Sequence, residues 1–506
     1  MRTVVRLGLL LALAAAGAAA LGSHGGRRDP ARLVVAAPTL DLDGGHLRTL
    51  GVAECLFEAD VGFGPPWPGL ALAATDEGGG RWSLPLRPGV RFHNGRPLDA
   101  PAVVESLREA LSRGDAAWLG ALLTASARTR DVVEVISSAP RLPVPSYLVR
   151  VPVLAPGAVD AHGRVVAPVG TGPFVAARYV ADEGARLVAN RDWWGGVPAS
   201  AGVDVLVARD PATRAMLVET GDADWAQRVS RADAARLVRR GFRAPAPAYL
   251  YNVYVVFRAG AGPVADAAVR RAVALAADRG RIARVAFDGA ARPAGGVFPP
   301  GHRLHGGADA PVARDLAGAE RVLEAAGWRR ASPGGVRARD GVPLRVPLLT
   351  VADAYRPAWA TAAELLREDL AEAGIALEVE VLERAAWSAR TARGDFVATL
   401  RGRVPGWWPD PYGVLRTDFR SDGVNNVGRY ASAAFDRALD AALAAPDDAT
   451  REAALADAVR VLREDRPVVA LVHDEGRETY VTASDVVGDD DDTTRVRAFP
   501  GPRARR

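Results

Sequence analysis

Short runs of apolar residues alternate with longer segments of helical periodicity along most of this chain. Residues 82–86 alternate apolar and polar positions, which predicts a strand, and Asp99 is placed to cap a helix that follows. The sequence favours a β-α-β unit further on, with strands at 344–349 and 375–382 and a helix at 357–373. Strands that alternate with helices in this way predict an α/β fold.

Two further helices carry recognisable capping residues at both ends. Asp210 precedes a proline and an apolar periodic segment, and Gly221 is placed to end that helix. Asp315 and Gly327 bracket a second helix in the same way. These local signals fix the bounds of the predicted helices, although they do not say how the helices pack together.

The first 22 residues have the composition of an export signal. A short basic start is followed by an apolar run at 7–21, with small residues at its end that suit cleavage. An uncleaved anchor is the alternative, and either interpretation places the rest of the chain outside the cytoplasm. Ser23 stands where a lipoprotein signal would need cysteine, so we expect a periplasmic or cell-surface protein without a cysteine-linked lipid. Cys55 is the only cysteine, so a disulfide within the chain is excluded.

The charge pattern argues against a nucleic-acid partner. The formal net charge is +4 over 506 residues, and arginine supplies every basic residue. These arginines are spread along the chain among acidic residues, whereas a nucleic-acid surface concentrates them with aromatic side chains. We therefore expect no nucleic-acid binding.

Several segments, taken in order, resemble the peptide/nickel-binding extracellular solute-binding proteins of ATP-driven (ABC) importers, known as family 5. Their order and spacing along the chain carry the resemblance more than any one of them does. The segments lie at 82–99, 170–173, 190–196, 210–214, 219–222, 269–273 and 319–328. Local likenesses around Trp118 and Arg150 bring the sequence nearest to the nickel-type branch.

The resemblance implies a two-lobed periplasmic-binding-protein fold with an additional subdomain in lobe I. Lobe I would comprise residues 30–248, with the additional subdomain at 58–169. Lobe II would comprise 249–475, and residues 476–506 would return to lobe I. A strand near 249–257 would be one crossing between the lobes. Such proteins close on a ligand by hinge rotation.

The resemblance also implies ligand-binding residues. In the nickel-type branch a cleft tryptophan and a cleft arginine contact a metal held by a small carboxylate chelator, and these positions match Trp118 and Arg150. The alternatives are a core aromatic for Trp118 and a surface or interlobe ion pair for Arg150. Trp407 and Trp408 would wall the pocket, or else pack within the lobe. Thr494 matches a further pocket position.

Two departures from the family pattern bear on the ligand. Peptide-binding members hold the peptide's amino terminus with an aspartate at the position of Trp407, so a simple amine-anchored peptide is not expected. The nickel-type branch has a cleft histidine that is absent from 417–426. His302 and His305 form a pair in an exposed loop, which is more often incidental than a metal site. We therefore expect no metal ligands from the protein and no cofactor, although a metal could arrive already chelated.

The predicted function is capture of a small ligand, which could be a peptide, a metallophore or a nickel chelate. The partners would be an ABC permease and its ATPase at the membrane, and the protein would be a monomer. An exported ligand sensor or a chaperone on the same fold is an alternative. An exported hydrolase is a weaker one, because the sequence lacks a Gly-x-Ser-x-Gly elbow, a His-Glu-x-x-His helix and a phosphate loop.

Overall fold

The structure, a computed structural model, describes most of the chain. It covers residues 29, 31–59, 64–112, 116–244, 251–305, 313–351, 357–474 and 479–482. The predicted signal peptide at 1–22 and the predicted pocket residue Thr494 lie outside these residues. The described part consists of helices and mixed sheets, in agreement with the predicted α/β class.

The first large sheet has six strands and is built mainly from the first half of the chain. Its strands in spatial order are Phe174–Val180, Gly184–Ala189, Gly202–Val207, Arg32–Ala37, Trp225–Val229 and Thr479–Thr482. The central strand Arg32–Ala37 runs parallel to both of its neighbours. The last strand comes from the C-terminal part of the chain and pairs antiparallel with Trp225–Val229.

The second large sheet also has six strands. In spatial order they are Ala291–Pro293, Val468–Asp474, Tyr251–Phe257, Ala398–Arg403, Arg345–Val351 and Ala376–Leu382. The predicted β-α-β unit is present here, because Arg345–Val351 and Ala376–Leu382 pair in parallel and are joined by the helix Pro357–Glu372. Parallel neighbours need a crossover connection of this kind.

A third, four-stranded antiparallel sheet lies within the predicted subdomain. Its strands in spatial order are Thr75–Gly78, Arg81–Pro85, Val132–Ser137 and Leu123–Ala127. Three smaller groups of strands complete the described sheets. They are Glu54–Cys55 with Pro152–Val153, Phe57–Glu58 with Trp67–Pro68, and Arg329–Arg330 with Arg337–Arg339 and Val342–Pro343.

Most of the helices begin at a side chain that caps them. Asp99, Asp210 and Asp315 each accept a hydrogen bond from a backbone N–H of the first turn, as the sequence predicts. Gly221 ends its helix at a φ of +81°, a conformation that glycine adopts without strain. The α-helices are Gly44–Thr49, Ala100–Ala110, Ala117–Gly120, Val144–Leu148, Pro211–Thr220, Arg231–Val238, Ala267–Ala276, Arg279–Ala286, Leu316–Ala325, Pro357–Glu372, Arg384–Arg393, Pro411–Phe419, Ala433–Ala444 and Asp448–Asp465.

The hydrophobic core is divided among several clusters of buried side chains. Both faces of the first sheet are buried in clusters of their own, and one face of the second sheet packs against the helices around it. The largest cluster combines residues of the predicted subdomain with residues of the helices between 411 and 465. The lobe and subdomain boundaries given above remain predictions. Among the described residues, every helix is too short or too polar to cross a bilayer.

Candidate ligand-binding site

Four aromatic side chains meet where the predicted subdomain faces the helices after residue 411. The Trp118 ring lies 5.3 Å from the Tyr147 ring and 5.7 Å from the Tyr412 ring, measured between centroids. Trp408 completes the group, with its ring 5.5 Å from Tyr147 and 6.5 Å from Trp118. We call these four residues the aromatic cluster. Ring separations of this size favour offset and edge-to-face packing.

Local sequence explains how Trp408 comes to point inward. Pro405–Trp407 forms a short 3-10 turn, after which Trp408 has an extended backbone. Asp410 then caps the helix Pro411–Phe419, and its carboxylate accepts from the Tyr412 N–H at 2.8 Å. A Cβ atom at Gly413 would lie 2.6 Å from the Trp408 ring, so only glycine leaves room for the indole there.

A buried ion pair underlies the cluster. Arg451 Nη2 donates to both carboxylate oxygens of Asp410, at 2.7 and 3.0 Å. Both side chains are almost completely buried, with 8% and 3% exposed. Because each charge has its partner, the attraction between the two groups offsets the cost of burying them. The ion pair joins the helix Asp448–Asp465 to the start of Pro411–Phe419, and it gives the Asp410 carboxylate beside the cluster a positive partner.

Three buried hydrogen-bond donors at the cluster have no acceptor of normal geometry among the described residues. They are the indole Nε1 of Trp118, the hydroxyl of Tyr147 and Nε of Arg451. Burial raises the pKa of Tyr147 well above its ordinary value, and the charge of Asp410 adds to the effect, so the hydroxyl keeps its proton. A buried donor without an acceptor is costly, and native proteins satisfy nearly all such groups with protein, water or ligand.

Arg150 and Trp407 form a second contact beside the cluster. Arg150 Nε donates to the backbone carbonyl of Trp407 at 3.2 Å, and the guanidinium carbon lies 4.8 Å from the centre of the Trp407 ring. The Trp407 side chain is 41% exposed, in contrast to the buried Trp408. This pair therefore lies at the rim, and it links the predicted subdomain to the segment before Asp410.

The structure brings together four of the five residues predicted to bind a ligand. Trp118 and Trp408 share the aromatic cluster, and Arg150 and Trp407 lie at its rim. That these residues bind a ligand remains a prediction. Sequence reasoning missed Tyr147 and Tyr412. For Tyr412 there was a signal, because it follows Trp408 by four residues at the start of a helix, whereas nothing in the local pattern singles out Tyr147.

Potential metal ligands lie elsewhere and are engaged in local structure. His302 is buried rather than exposed as expected, since its ring stacks on Phe298 at 4.4 Å, and burial lowers its pKa to about 3. Asp41, Asp43 and His46 bring ligand atoms within 4.8 Å of one another at the surface. There Asp43 accepts the His46 N–H as a helix cap, and the two carboxylates face different nitrogens of one imidazole, which suits hydrogen bonding more than chelation.

Comparison with known proteins agrees with this architecture. Protein XP55 of Streptomyces lividans is 32% identical over 80% of this chain and 75% of its own length. The nickel-binding periplasmic protein of Escherichia coli is 27% identical over 79% of each chain. The crystal structure of NikA from Brucella suis in complex with Fe(III)-EDTA superposes with a TM-score of 0.79, at 23% identity, over 93% of this chain and 99% of that one, which shows a shared fold.

The family comparison covers most of the chain. Residues 66–426 match the family described as bacterial extracellular solute-binding proteins, family 5 Middle. The match spans well over half of the sequence and includes the subdomain sheet, the predicted β-α-β unit and the aromatic cluster. The chain belongs to the bacterial extracellular solute-binding proteins of family 5.

Proposed function

We propose that this protein captures a small carboxylate-bearing metal chelate at the aromatic cluster and delivers it to an ABC permease. The observation that carries the proposal is a set of buried donors that have no acceptor of normal geometry among the residues the structure describes, above all Trp118 Nε1 and the Tyr147 hydroxyl. A ligand rich in acceptor oxygens would satisfy them, and the four rings would cover its apolar surface. Arg150 at the rim adds positive charge for a carboxylate.

The charges at the cluster disfavour a peptide bound by its amino terminus. A buried ammonium group needs a carboxylate beside it, because an unpaired charge is costly to desolvate. The Asp410 carboxylate lies beside the cluster, and both of its oxygens already accept from Arg451. The family resemblance implies, in addition, that Trp407 stands where peptide-binding members carry an aspartate. A ligand that accepts hydrogen bonds therefore fits this site better than a ligand that would be bound through an amino group.

The relatives include dipeptide- and di/tripeptide-binding proteins, and two others bear on a chelate. One is a nickel-binding periplasmic protein, and the Brucella suis structure holds Fe(III)-EDTA, a metal wrapped in carboxylates. A chelate brings its own donor atoms to the metal, so the binding protein need not supply histidine or cysteine ligands. The aromatic cluster, which contains neither, is suited to recognise the organic shell of such a complex.

The proposed lobes follow the two large sheets, with the boundaries predicted from the sequence. Closure of the lobes would bring Trp118 and Tyr147 against Trp408 and Tyr412, so that the site is complete only in the closed form. The protein would act outside the cytoplasm as a monomer, with a permease and ATPase as partners, and would release its ligand chemically unchanged.

A binding series tests the proposal. Native mass spectrometry of the purified protein would detect a retained ligand. Thermal shift and calorimetry would then compare nickel(II) with L-histidine, Fe(III)-EDTA and short peptides. We expect stabilisation by at least one chelate, and a loss of affinity of about tenfold in Arg150→Ala, from the charge-assisted contact removed. The melting temperature of the ligand-free variant should be unchanged.

The result that contradicts the proposal is stabilisation by peptides alone. A matched control is Arg164→Ala, because Arg164 belongs to the same predicted subdomain. Among the described residues, the Arg164 side chain pairs only with Asp160, which lies in the same loop. A similar loss of affinity in both variants would show that general charge, and not the site, attracts the ligand.

A further inference from the structure

Two arginines on one edge of the predicted subdomain make hydrogen bonds with the proposed opposite lobe. This edge, residues 141–150, lies between the strand Val132–Ser137 and the strand Pro152–Val153 and contains the helix Val144–Leu148. Tyr147 and Arg150 belong to the proposed ligand site. Arg141, at the start of the edge, contacts neither the aromatic cluster nor Trp407 and is unexplained by that site.

Arg141 reaches a backbone carbonyl far away in sequence. Its Nε and Nη2 atoms donate to the Pro446 carbonyl oxygen at 3.0 and 2.8 Å. Asp448 lies 3.9 Å from Nη1, at the outer limit of an ion pair. Pro446 belongs to the turn between the helices Ala433–Ala444 and Asp448–Asp465. Two N–H groups on one oxygen make a forked, charge-assisted contact that depends on the position of the guanidinium.

The contacts between the proposed lobes differ in their position relative to the proposed hinge. Arg231, in the first half of the chain, donates to the Phe287 carbonyl oxygen at 2.6 Å and pairs with Asp474 at 2.5 Å. Asp474 is the last residue of a strand next to Tyr251–Phe257, so this contact lies beside the proposed hinge. Among the described residues, the contacts of Arg141 are with Pro446 and Asp448, and none is with the proposed hinge strand Tyr251–Phe257 or with Asp474 beside it. A contact away from the hinge is broken by a small opening rotation, whereas one beside it is preserved.

We propose that Arg141 is a closure latch, whose contact with the Pro446 carbonyl stabilises the closed form without touching the ligand. The inference rests on the proposed function, in that it requires two lobes that open and close. A residue that acts only on closure changes the fraction of binding-competent protein. Apparent affinity scales with that fraction, so every ligand is affected by the same factor.

The test combines scattering with binding. In Arg141→Ala we expect the apparent affinities for nickel(II)–L-histidine and for Fe(III)-EDTA to fall by one common factor of about three to ten. The radius of gyration of the ligand-free variant should rise, and its melting temperature should stay within experimental error of the parent. Arg141→Lys, which keeps the charge but loses the fork, should recover part of both effects. Arg164→Ala serves as the control.

The outcomes separate the latch from the proposed function. Unequal losses of affinity for the two ligands would show that Arg141 touches the ligand. Unchanged scattering together with unchanged affinity would show that Arg141 does not act on closure. Either result would overturn the proposal that Arg141 is a latch. A melting temperature lowered in both Arg141 variants would mark a structural role and overturn it as well. If the parent protein binds neither chelate, the proposed function fails, and scattering alone decides on the latch.

Discussion

Two aromatic clusters of this protein have similar separations between their rings, but they differ in whether their polar atoms are hydrogen-bonded. Trp193 and Trp194 lie 5.3 Å apart, the same separation as Trp118 and Tyr147 in the aromatic cluster. Both indole N–H groups of the first cluster donate to the carboxylate of Glu54, at 3.1 Å, and the Thr171 hydroxyl donates to it at 2.8 Å. These indole and hydroxyl groups all have an acceptor within the chain, and we call Trp193, Trp194, Glu54 and Thr171 the structural cluster.

The aromatic cluster lacks such an acceptor. Trp118 Nε1 is buried and has none among the described residues. The buried Tyr147 hydroxyl lies near the Asp410 carboxylate, which Arg451 holds, but makes no hydrogen bond of normal geometry there. Buried polar groups that are fully paired fix a structure, whereas unpaired ones are suited to a partner that arrives later. The comparison teaches that the hydrogen bonds, and not the aromatic content, distinguish a structural cluster from a candidate binding site.

The largest expected effect is on the structural cluster. Glu54→Ala removes the shared acceptor and leaves the buried Thr171 hydroxyl and the two part-buried indole N–H groups without this partner. We expect the free energy of unfolding to fall by about 3–5 kcal/mol, since each such group costs about 1–3 kcal/mol. Urea denaturation followed by tryptophan fluorescence measures this. A loss below about 1 kcal/mol would show that the Glu54 contacts are dispensable.

The second prediction concerns pH. Burial raises the pKa of the Glu54 carboxyl from 4.5 to about 7, although the three donors favour the ionised form. A folded-state pKa above the unfolded value means that the folded protein holds the proton more tightly. The resulting stability is full below pH 4.5 and is lost as the pH rises through 7, by about 3 kcal/mol.

The measurement is the difference between the parent and Glu54→Gln in unfolding free energy at pH 5 and at pH 8. The parent should lose more stability than the variant over this interval, because glutamine does not titrate. Taking the difference removes the contributions of other groups, such as His46, whose pKa is raised mainly by its hydrogen bond to Asp43. Parallel pH curves for the two proteins would contradict the prediction.

Local pattern predicted much of the fold. The caps at Asp99, Asp210 and Asp315 were correct because a capping interaction is completed within three residues. The strands and helix of the β-α-β unit were likewise correct, because each is set by its own periodicity. The resemblance to the family then predicted how these elements are arranged in the fold, which the periodicity of the sequence does not indicate.

The site was harder to predict because its contacts join distant parts of the chain. The contact between Tyr147 and Trp408 and the ion pair between Asp410 and Arg451 arise only when the helices pack. The choice between Trp407 and Trp408 was also open, since neighbouring residues on an extended segment face opposite sides. Gly413 decides it by leaving space for the Trp408 ring. A motif that is conspicuous in sequence, Trp193-Trp194, serves the structural cluster instead.

Removal of a single indole N–H group should have a smaller effect on stability, and the effect should differ between the two clusters. Trp194→Phe removes a donor to Glu54, and we expect it to cost about 1 kcal/mol of stability beyond the loss of ring area. Trp118→Phe removes an N–H that has no acceptor in the part of the chain that the structure describes, so we expect only the loss of ring area to count. Calorimetric melting of the two variants in parallel measures the difference. Equal losses would show that Trp118 Nε1 has a partner in the folded protein.

The smallest expected change in stability is at Tyr147, and it is the most informative about binding. Tyr147→Phe removes only a hydroxyl that is fully buried and makes no hydrogen bond of normal geometry. The free energy of unfolding should therefore stay within about 0.5 kcal/mol of the parent value, or increase because the cost of desolvating the hydroxyl is removed. If the hydroxyl donates to the ligand, affinity for the chelate should fall by about fivefold to tenfold at the same time. A variant that loses stability but keeps its affinity would reverse the assignment and make Tyr147 part of the structural core.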